Sequence, residues 1–189
     1  MPKASEPVAA SAAADRAISA LYDEHFAFVW RNLRRLGVMQ AQLDDAVQDV
    51  FLVAHRRFGA LSGHGEPRAW LFGISYRVAA DYRKATRRRE RWVNRDANAD
   101  AVGALTPDPH EAATAREATR QVQRLLETLD LDKRAVLILV DLEDMPVPEA
   151  ARALGWGVDA AYGRLRRARE AFKRAYCRAS EREQGRHGA

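Results

Sequence analysis

The chain has 189 residues, a formal net charge of +5 and a single cysteine, Cys177. One cysteine excludes an intrachain disulfide and a cysteine-rich zinc site within one chain. A hydrophobic fraction of 47% supports packed cores, while the positive charge favours an acidic partner such as nucleic acid, an anionic membrane or an acidic protein. The longest strongly apolar run, Ala135–Val140, is too short to cross a bilayer, and the N-terminus lacks a signal-peptide pattern. We therefore expect a cytoplasmic protein that is not itself a membrane protein.

The sequence of the N-terminal half predicts a flexible tail over residues 1–15, followed by three helices. Apolar residues recur three and four positions apart over about 16–36, 41–58 and 67–92. Gly37 stands where a C-cap is expected, and Pro67 stands at the favoured start of the third helix. Two glycines between Ala60 and Glu66 predict a loop that separates the second and third helices.

One face of the second predicted helix is acidic. Asp45, Gln48 and Asp49 share this face, and Asp44 lies beside them. Acidic residues near a helix N-terminus stabilise it by a few tenths of a kcal/mol, so a solvated helix end is one interpretation. The other is a docking surface for a basic partner. No supporting ligands or bases accompany these residues, so we predict no metal site and no catalytic residue.

The C-terminal end of the third predicted helix is strongly basic. Seven cations fall within 13 positions: Arg83, Lys84, Arg87, Arg88, Arg89, Arg91 and Arg95. The helix dipole favours some cations here, but not so many. Phe72 and Tyr76 lie one turn apart earlier on the same helix. Cations beside aromatic rings suit a DNA backbone next to unstacked bases.

The second half of the chain predicts a separate helical domain. Small, acidic and proline residues over 94–115 predict a flexible linker. Apolar periodicity returns over 116–178, where Asp130 or Asp132 is expected to cap a helix, and residues 179–189 predict a frayed tail. No segment alternates as a β-strand does. The predicted fold is all-α, with two small helical domains over 16–93 and 116–178.

The end of this second domain has a helix-turn-helix pattern. A short helix ends near Leu154, a turn follows at Gly155-Trp156-Gly157, and a longer helix begins at Val158. Small Ala151 fits a position where two helices cross. The longer helix carries a basic face opposite its apolar stripe, formed by Arg164, Arg166, Arg167 and Arg169. In this motif the second helix enters the DNA major groove. An ordinary helical hairpin with a solvated basic face is the alternative.

The order of these parts resembles the bacterial RNA polymerase sigma factors of the extracytoplasmic-function (ECF) group in the sigma-70 family. The resemblance rests on LDDAVQDVFLVAHRRF, on EPRAWLFGISYRVAADYRKATRRR and on LGWGVDAAYGRLRRAREAF, and it extends from about Ile18 to Ala175. It implies a non-enzymatic subunit, without a cofactor, that binds core RNA polymerase, recognises the −35 and −10 promoter elements and assists DNA melting. It also implies an anti-sigma factor, often membrane-anchored, as a partner.

The resemblance assigns residues 16–93 to sigma region 2 and residues 116–178 to sigma region 4. The expected contacts with core polymerase are Asp44, Asp45, Gln48, Asp49, Phe51, Leu52 and Arg56. The expected contacts with −10 DNA are Leu61, Ser62, Gly63, His64, Arg68, Phe72, Tyr76, Arg83, Lys84, Arg87 and Arg88. The expected contacts with −35 DNA are Asp159, Ala160, Tyr162, Gly163, Arg164, Arg166 and Arg167.

Some residues depart from the family pattern. Pro146 replaces a serine or threonine helix cap, Ala150 replaces a larger aliphatic residue, and Trp156 stands where an aliphatic residue is usual. Gly163 lowers helix propensity by about 1 kcal/mol relative to alanine. These departures leave the promoter sequence open.

Two other functions remain: a stand-alone helix-turn-helix regulator that does not join polymerase, and an RNA-binding adaptor that uses the Arg83–Arg95 cluster.

Overall fold

The computed structural model describes residues 6–58, 66–93 and 111–187, and every regular element within these ranges is helical. The described part of the chain contains seven α-helices: α1 (Glu6–Leu36), α2 (Leu43–Arg56), α3 (Pro67–Val93), α4 (Glu111–Glu127), α5 (Leu131–Leu137), α6 (Val147–Leu154) and α7 (Val158–His187). The chain divides into two compact units, residues 1–84 and 85–189. The predicted all-α fold is confirmed. None of the described helices has the length and apolar character of a membrane span.

The N-terminal unit is built around the pairing of α1 with α2. Side chains from three helices fill its core, and Leu33, Val50 and Phe72 are completely buried. α1 ends as predicted at Gly37, whose φ of 92° is readily adopted only by glycine. The amide of Val38 donates to the carbonyl of Leu33 at 3.1 Å, which closes a Schellman motif. A 3₁₀ turn over Gln40–Gln42 then leads into α2.

Both predicted tails and the predicted linker need correction. α1 begins at Glu6 and not near Arg16, because its alanine-rich first residues have the highest helix propensity. α7 continues to His187, through a segment rich in arginine, glutamate and alanine that also favours helix. α4 begins at Glu111, inside the segment predicted as linker. The rest of that segment, residues 94–110, lies outside the described residues.

In the C-terminal unit, α4, α5 and α6 all contact α7. Asp130, one of the two caps expected from the sequence, is the N-cap of α5; its carboxylate accepts the backbone N–H of Lys133 at 2.9 Å. Burial opposes ionisation of this carboxyl group, but hydrogen bonds from the Lys133 side chain and backbone outweigh burial and lower the pKa of Asp130. α5 continues into a π-helical turn, Ile138–Leu142.

Small side chains line the helix contacts of this unit. Five of its alanines are completely buried: Ala135, Ala150, Ala151, Ala161 and Ala168. An alanine between two helices lets their backbones approach closely, because only one methyl group has to be accommodated. The expectation that Ala151 occupies a helix contact is thus consistent with its burial, and Ala150 is buried beside it.

The ends of α6 fix the geometry of the helix-turn-helix. Pro146 caps the helix without a side-chain hydrogen bond, and its carbonyl accepts the amides of Glu149 and Ala150 at 2.9 and 3.0 Å. At the other end Gly155 has a φ of 72°, and the amide of Trp156 donates to the carbonyl of Ala151 at 2.8 Å. This Schellman motif ends α6 and leads the chain into α7 two residues later.

Candidate nucleic-acid and protein interfaces

The acidic face of α2, defined by Asp44, Asp45, Gln48 and Asp49, is exposed as a unit. The opposite side of the helix is buried, so the two faces separate as their spacing predicts. Leu52 extends the exposed face with an apolar side chain that is 45% exposed, and Arg56 is exposed at the end of the helix. The face combines negative charge with an accessible apolar group, which suits a protein partner carrying cations and apolar side chains.

Phe51 does not belong to this surface, which corrects the sequence-based assignment. Its side chain is only 6% exposed, and its ring centroid lies 4.7 Å from that of Tyr22 on α1. Helical spacing places Phe51 beside the buried stripe, and α1 covers it there. Phe51 therefore packs α2 onto α1 and is not available to a partner.

A hydrogen bond links the acidic face to α3. The Tyr82 hydroxyl donates to Oδ2 of Asp49 at 2.8 Å. Burial, the hydrogen bond to Asp49 and the charges of Asp49 and Asp45, in decreasing order of effect, together raise the pKa of Tyr82 to about 12. The phenol therefore stays protonated and keeps donating at neutral pH. This contact joins residues 33 positions apart, so the spacing within either helix does not predict it.

The basic end of α3 presents several cations to solvent. Lys84, Arg87 and Arg88 are exposed, whereas Arg83 is half-buried and donates from Nη1 to the carbonyl of Leu36 at 3.1 Å. That bond uses one end of Arg83 to hold the C-terminus of α1, in agreement with the partial negative charge there. The exposed cations form a surface suited to a phosphate backbone.

The start of α3 holds one arginine against an aromatic ring. The guanidinium carbon of Arg68 lies 4.7 Å from the ring centroid of Phe28, a cation–π arrangement that orients the side chain. Tyr76 is half-buried. Phe72 is completely buried, so its assignment to DNA is wrong in this structure: its ring fills the core of the N-terminal unit. Leu61, Ser62, Gly63 and His64 lie outside the described residues.

The N-terminal half of α7 exposes most of the residues predicted to read DNA. Asp159, Ala160, Tyr162, Arg166 and Arg167 are exposed on one side of the helix-turn-helix, and Tyr162 is 53% exposed. Their common exposure follows from burial of the opposite stripe, formed by Ala161, Leu165 and Ala168.

Gly163 is not required by packing within the protein. A Cβ built at this position meets nothing closer than the guanidinium of Arg167, at 3.7 Å. This is an ordinary van der Waals separation, and an alanine would fit without displacement of any neighbour. The helix-propensity cost of Gly163 therefore has no compensation inside the described structure, which leaves approach of an external partner as a reason for glycine.

Two arginines of α7 are engaged by other parts of the C-terminal unit. Arg169 donates from Nε and Nη2 to the two carboxylate oxygens of Asp141, with an Nε–Oδ2 distance of 3.0 Å, and this hydrogen bonding raises the pKa of Arg169. Arg164 lies over the indole of Trp156, 4.5 Å from the ring centroid, and 3.8 Å from the carboxylate of Asp132. No local pattern predicted either arrangement, because the partners lie on different elements.

Comparison with known proteins finds two family regions in this chain. Sigma-70 region 2 matches residues 21–89, and sigma-70 region 4 matches residues 119–172. The RNA polymerase sigma factor CnrH of Cupriavidus metallidurans is 31% identical over 82% of this chain and 83% of its own length. The ECF RNA polymerase sigma factor SigL of Mycobacterium tuberculosis is 35% identical over 69% of this chain and 72% of its own length.

Solved structures show the same architecture. CnrH in complex with the cytosolic domain of CnrY aligns with a TM-score of 0.58 and 27% identity, over 86% of this chain and 92% of that chain. The sigma factor RpoE from Bartonella quintana, solved in complex with the anti-sigma factor NepR, aligns with a TM-score of 0.56 at 20% identity, which supports the fold alone.

Two helical units that carry sigma-70 region 2 followed by region 4 define a bacterial RNA polymerase sigma factor. The chain belongs to the sigma-70 family, within its extracytoplasmic-function group. Its role is to direct transcription initiation by RNA polymerase at specific promoters, and the alternative of a stand-alone regulator is not favoured.

Proposed function

We propose that this sigma factor docks on core RNA polymerase through the acidic face of α2. The observation that supports this best is the joint exposure of Asp44, Asp45, Gln48 and Asp49 on one helix of a basic protein. Leu52 and Arg56 extend the same surface. The buried side of α2 anchors the helix to α1, so the acidic face is presented on a rigid element.

We assign recognition and melting of the −10 element to α3 and the loop that precedes it. Exposed Lys84, Arg87 and Arg88 suit the phosphate backbone, while Arg68 and Tyr76 suit unstacked bases near the start of the helix. The loop residues expected to take part are Leu61, Ser62, Gly63 and His64. Arg83 is kept in this group, with one of its nitrogens already committed to Leu36.

We assign recognition of the −35 element to the N-terminal half of α7. Arg166 and Arg167 are the cations that point away from the body of the unit, and Asp159, Ala160, Tyr162 and Gly163 lie around them. Arginine in the major groove contacts guanine edges or phosphates.

The cellular setting follows from this role. Since RNA polymerase acts on DNA in the cytoplasm, we place the protein there, and we assign it no catalytic activity of its own. We also propose an anti-sigma factor as a partner, because CnrH, at 27% identity in the structural alignment, was solved with the cytosolic domain of CnrY. A cytosolic domain is the form in which a membrane-anchored inhibitor would reach a sigma factor.

The docking surface is tested by charge reversal. The double variant Asp45→Lys/Asp49→Lys replaces two negative charges by two positive ones on the acidic face. We expect the affinity for purified core polymerase to fall by tenfold or more, since like charges then face the cations of the partner. The measurements are core binding and promoter-specific run-off transcription, with circular dichroism to verify helix content.

The matched control is Glu127→Lys/Glu181→Lys, which changes the net charge equally in the C-terminal unit. The control should bind core polymerase as the wild type does. Unchanged core affinity in a folded Asp45→Lys/Asp49→Lys protein would reject the acidic face as the docking surface. A wild-type protein that binds duplex DNA but neither joins core polymerase nor directs initiation would instead support a stand-alone regulator.

A further inference from the structure

The environment of Arg164 differs from that of Arg166 and Arg167 on the same helix, α7. Its guanidinium lies 4.5 Å from the centroid of the Trp156 ring, in the turn that precedes α7. Its Nε lies 3.8 Å from Oδ2 of Asp132, in the first turn of α5. The side chain of Arg164, which itself belongs to α7, therefore contacts both the turn that precedes α7 and the first helical turn of α5. Its side chain is one-third exposed.

Arg166 lies in a different setting, although it is only two positions away. Its side chain is 78% exposed, and a carboxylate of the same helix, that of Glu170, lies 4.0 Å from its Nε. Arg167 is also exposed. An ion pair within one helix at this distance is worth little and constrains the side chain weakly. Arg166 and Arg167 are thus accessible to an external partner, whereas Arg164 is held by the protein.

The position of Arg164 on α7 explains its surroundings. Successive residues lie 100° apart around an α-helix. This spacing puts Arg164 on one border of the buried stripe and Arg169 on the other border, while Arg166 and Arg167 lie on the outward side. Asp141 holds Arg169 through two hydrogen bonds, as Trp156 and Asp132 hold Arg164. Both borders of the buried stripe of α7 are therefore tied by side-chain contacts to other parts of the C-terminal unit, namely α5, its π-helical turn and the turn that precedes α7.

We propose that Arg164 is a positioning residue and not a DNA contact: stacked on Trp156 and paired with Asp132, it fixes the orientation in which α7 presents Arg166 and Arg167 to the −35 element. This inference rests on the assignment of α7 to that element. It gives Trp156, an aromatic residue where the family usually has an aliphatic one, a defined task. It also predicts that lysine cannot replace Arg164, because an ammonium group lacks the planar face that stacks on indole.

The test uses the full-length protein bound to core polymerase. A preferred duplex is first selected from a pool of random sequences, and binding to it is compared with binding to unselected duplex over a range of salt concentrations. Two quantities are measured: the specificity ratio between the two duplexes, and the slope of log affinity against log salt concentration. The variants are Arg164→Lys, Arg164→Gln, Trp156→Leu, Asp132→Asn, Arg166→Gln and Arg167→Gln, with Arg178→Gln as a control on the distal part of α7.

The two possible roles of Arg164, positioning of α7 and direct contact with DNA, predict different results. A positioning role predicts that Arg164→Lys and Trp156→Leu each lower the specificity ratio by about two- to fivefold without a change in salt slope, and that Asp132→Asn shifts the ratio in the same direction. Loss of a true phosphate contact lowers the magnitude of the slope by about 0.9, which is the result expected for Arg166→Gln. Arg178→Gln should leave the specificity ratio unchanged.

Two outcomes overturn the inference. Arg164 contacts phosphate directly if Arg164→Lys keeps the wild-type specificity ratio while Arg164→Gln reduces the magnitude of the salt slope as Arg166→Gln does. If Trp156→Leu leaves the ratio unchanged in a folded protein, the stack has no positioning role. The assignment of α7 to the −35 element is tested separately. It is rejected if neither Arg166→Gln nor Arg167→Gln alters the specificity ratio or the salt slope while the holoenzyme still initiates transcription.

Discussion

The two units of this sigma factor build their cores from different side chains. In the N-terminal unit, aromatic rings are buried between the helices, including Phe28, Phe51, Trp70 and Phe72. In the C-terminal unit, the buried residues that the structure describes are mainly aliphatic, with completely buried alanines at the helix contacts. Large rings keep helices apart and interlock them, whereas alanines let the backbones approach. The first unit should therefore be sensitive to cavities and the second to added volume.

The units also differ in how they arrange charge. In the N-terminal half of the chain, the acidic face lies on α2 and the exposed cations Lys84, Arg87 and Arg88 lie on α3, so each sign has its own helix. In the C-terminal unit, acidic residues from the α5 region pair with Arg164 and Arg169 on α7. Exposed ion pairs contribute only about 0–1 kcal/mol to stability, so we assign these pairs a role in orienting α7. Separated charges suit two large partners, and paired charges suit a helix that must be held at one angle.

The largest effect should come from a cavity in the aromatic core. Phe72→Ala removes a completely buried ring, and we expect the free energy of unfolding of the N-terminal unit to fall by about 3–5 kcal/mol. Hydrogen exchange, read separately for the two units, would locate the loss in residues 1–84. A variant that keeps wild-type stability but loses promoter melting would return Phe72 to the set of DNA contacts.

A smaller effect should come from added volume in the C-terminal unit. Ala161 is completely buried on the inner face of α7, so Ala161→Leu forces the helices apart and should cost about 1–3 kcal/mol. Ala160→Leu is the matched control, because the neighbouring alanine is exposed and the same change there should alter stability by less than about 0.5 kcal/mol. Thermal unfolding of both variants checks the difference. Equal costs would mean that close helix approach is not important in this unit.

The smallest effect concerns the cap of α5 and depends on pH. The pKa of Asp130 is lowered in the folded protein, so the unfolded state binds its proton more readily. The carboxylate therefore contributes stability above the unfolded pKa of about 3.9, and this contribution disappears as the pH falls through the lower folded value. Asp130→Ala should cost about 1 kcal/mol at pH 7 and less at pH 3.

The variant Asp130→Asn separates the cap from its charge. Asparagine keeps an oxygen that can accept the amide of Lys133, but it loses the charged contact with the Lys133 side chain, which is 2.6 Å in the native protein. Its stability difference from the wild type should shrink toward low pH in chemical denaturation experiments. A difference that stays constant from pH 7 to pH 3 would exclude a contribution from the lowered pKa.

Local patterns in the sequence predicted the helices and many of their ends. Spacing of apolar residues located α2, α3, α6 and the start of α7, since the helical period is a property of the chain segment itself. Gly37, Asp130 and Gly155 marked helix ends for the same reason: their hydrogen bonds close within a few residues. The acidic face of α2 was also readable, because residues on one helix face are fixed by spacing alone.

Only the tertiary structure decided which residues at the edge of an apolar stripe are covered. Phe51 and Leu52 are adjacent, yet α1 covers the first and leaves the second exposed. Phe72 is enclosed by its unit, although its spacing also allowed a surface position. Tyr82 with Asp49, and Arg164 with Trp156 and Asp132, form pairs across different elements. Such contacts depend on where the helices pack against one another, and no local period records that geometry.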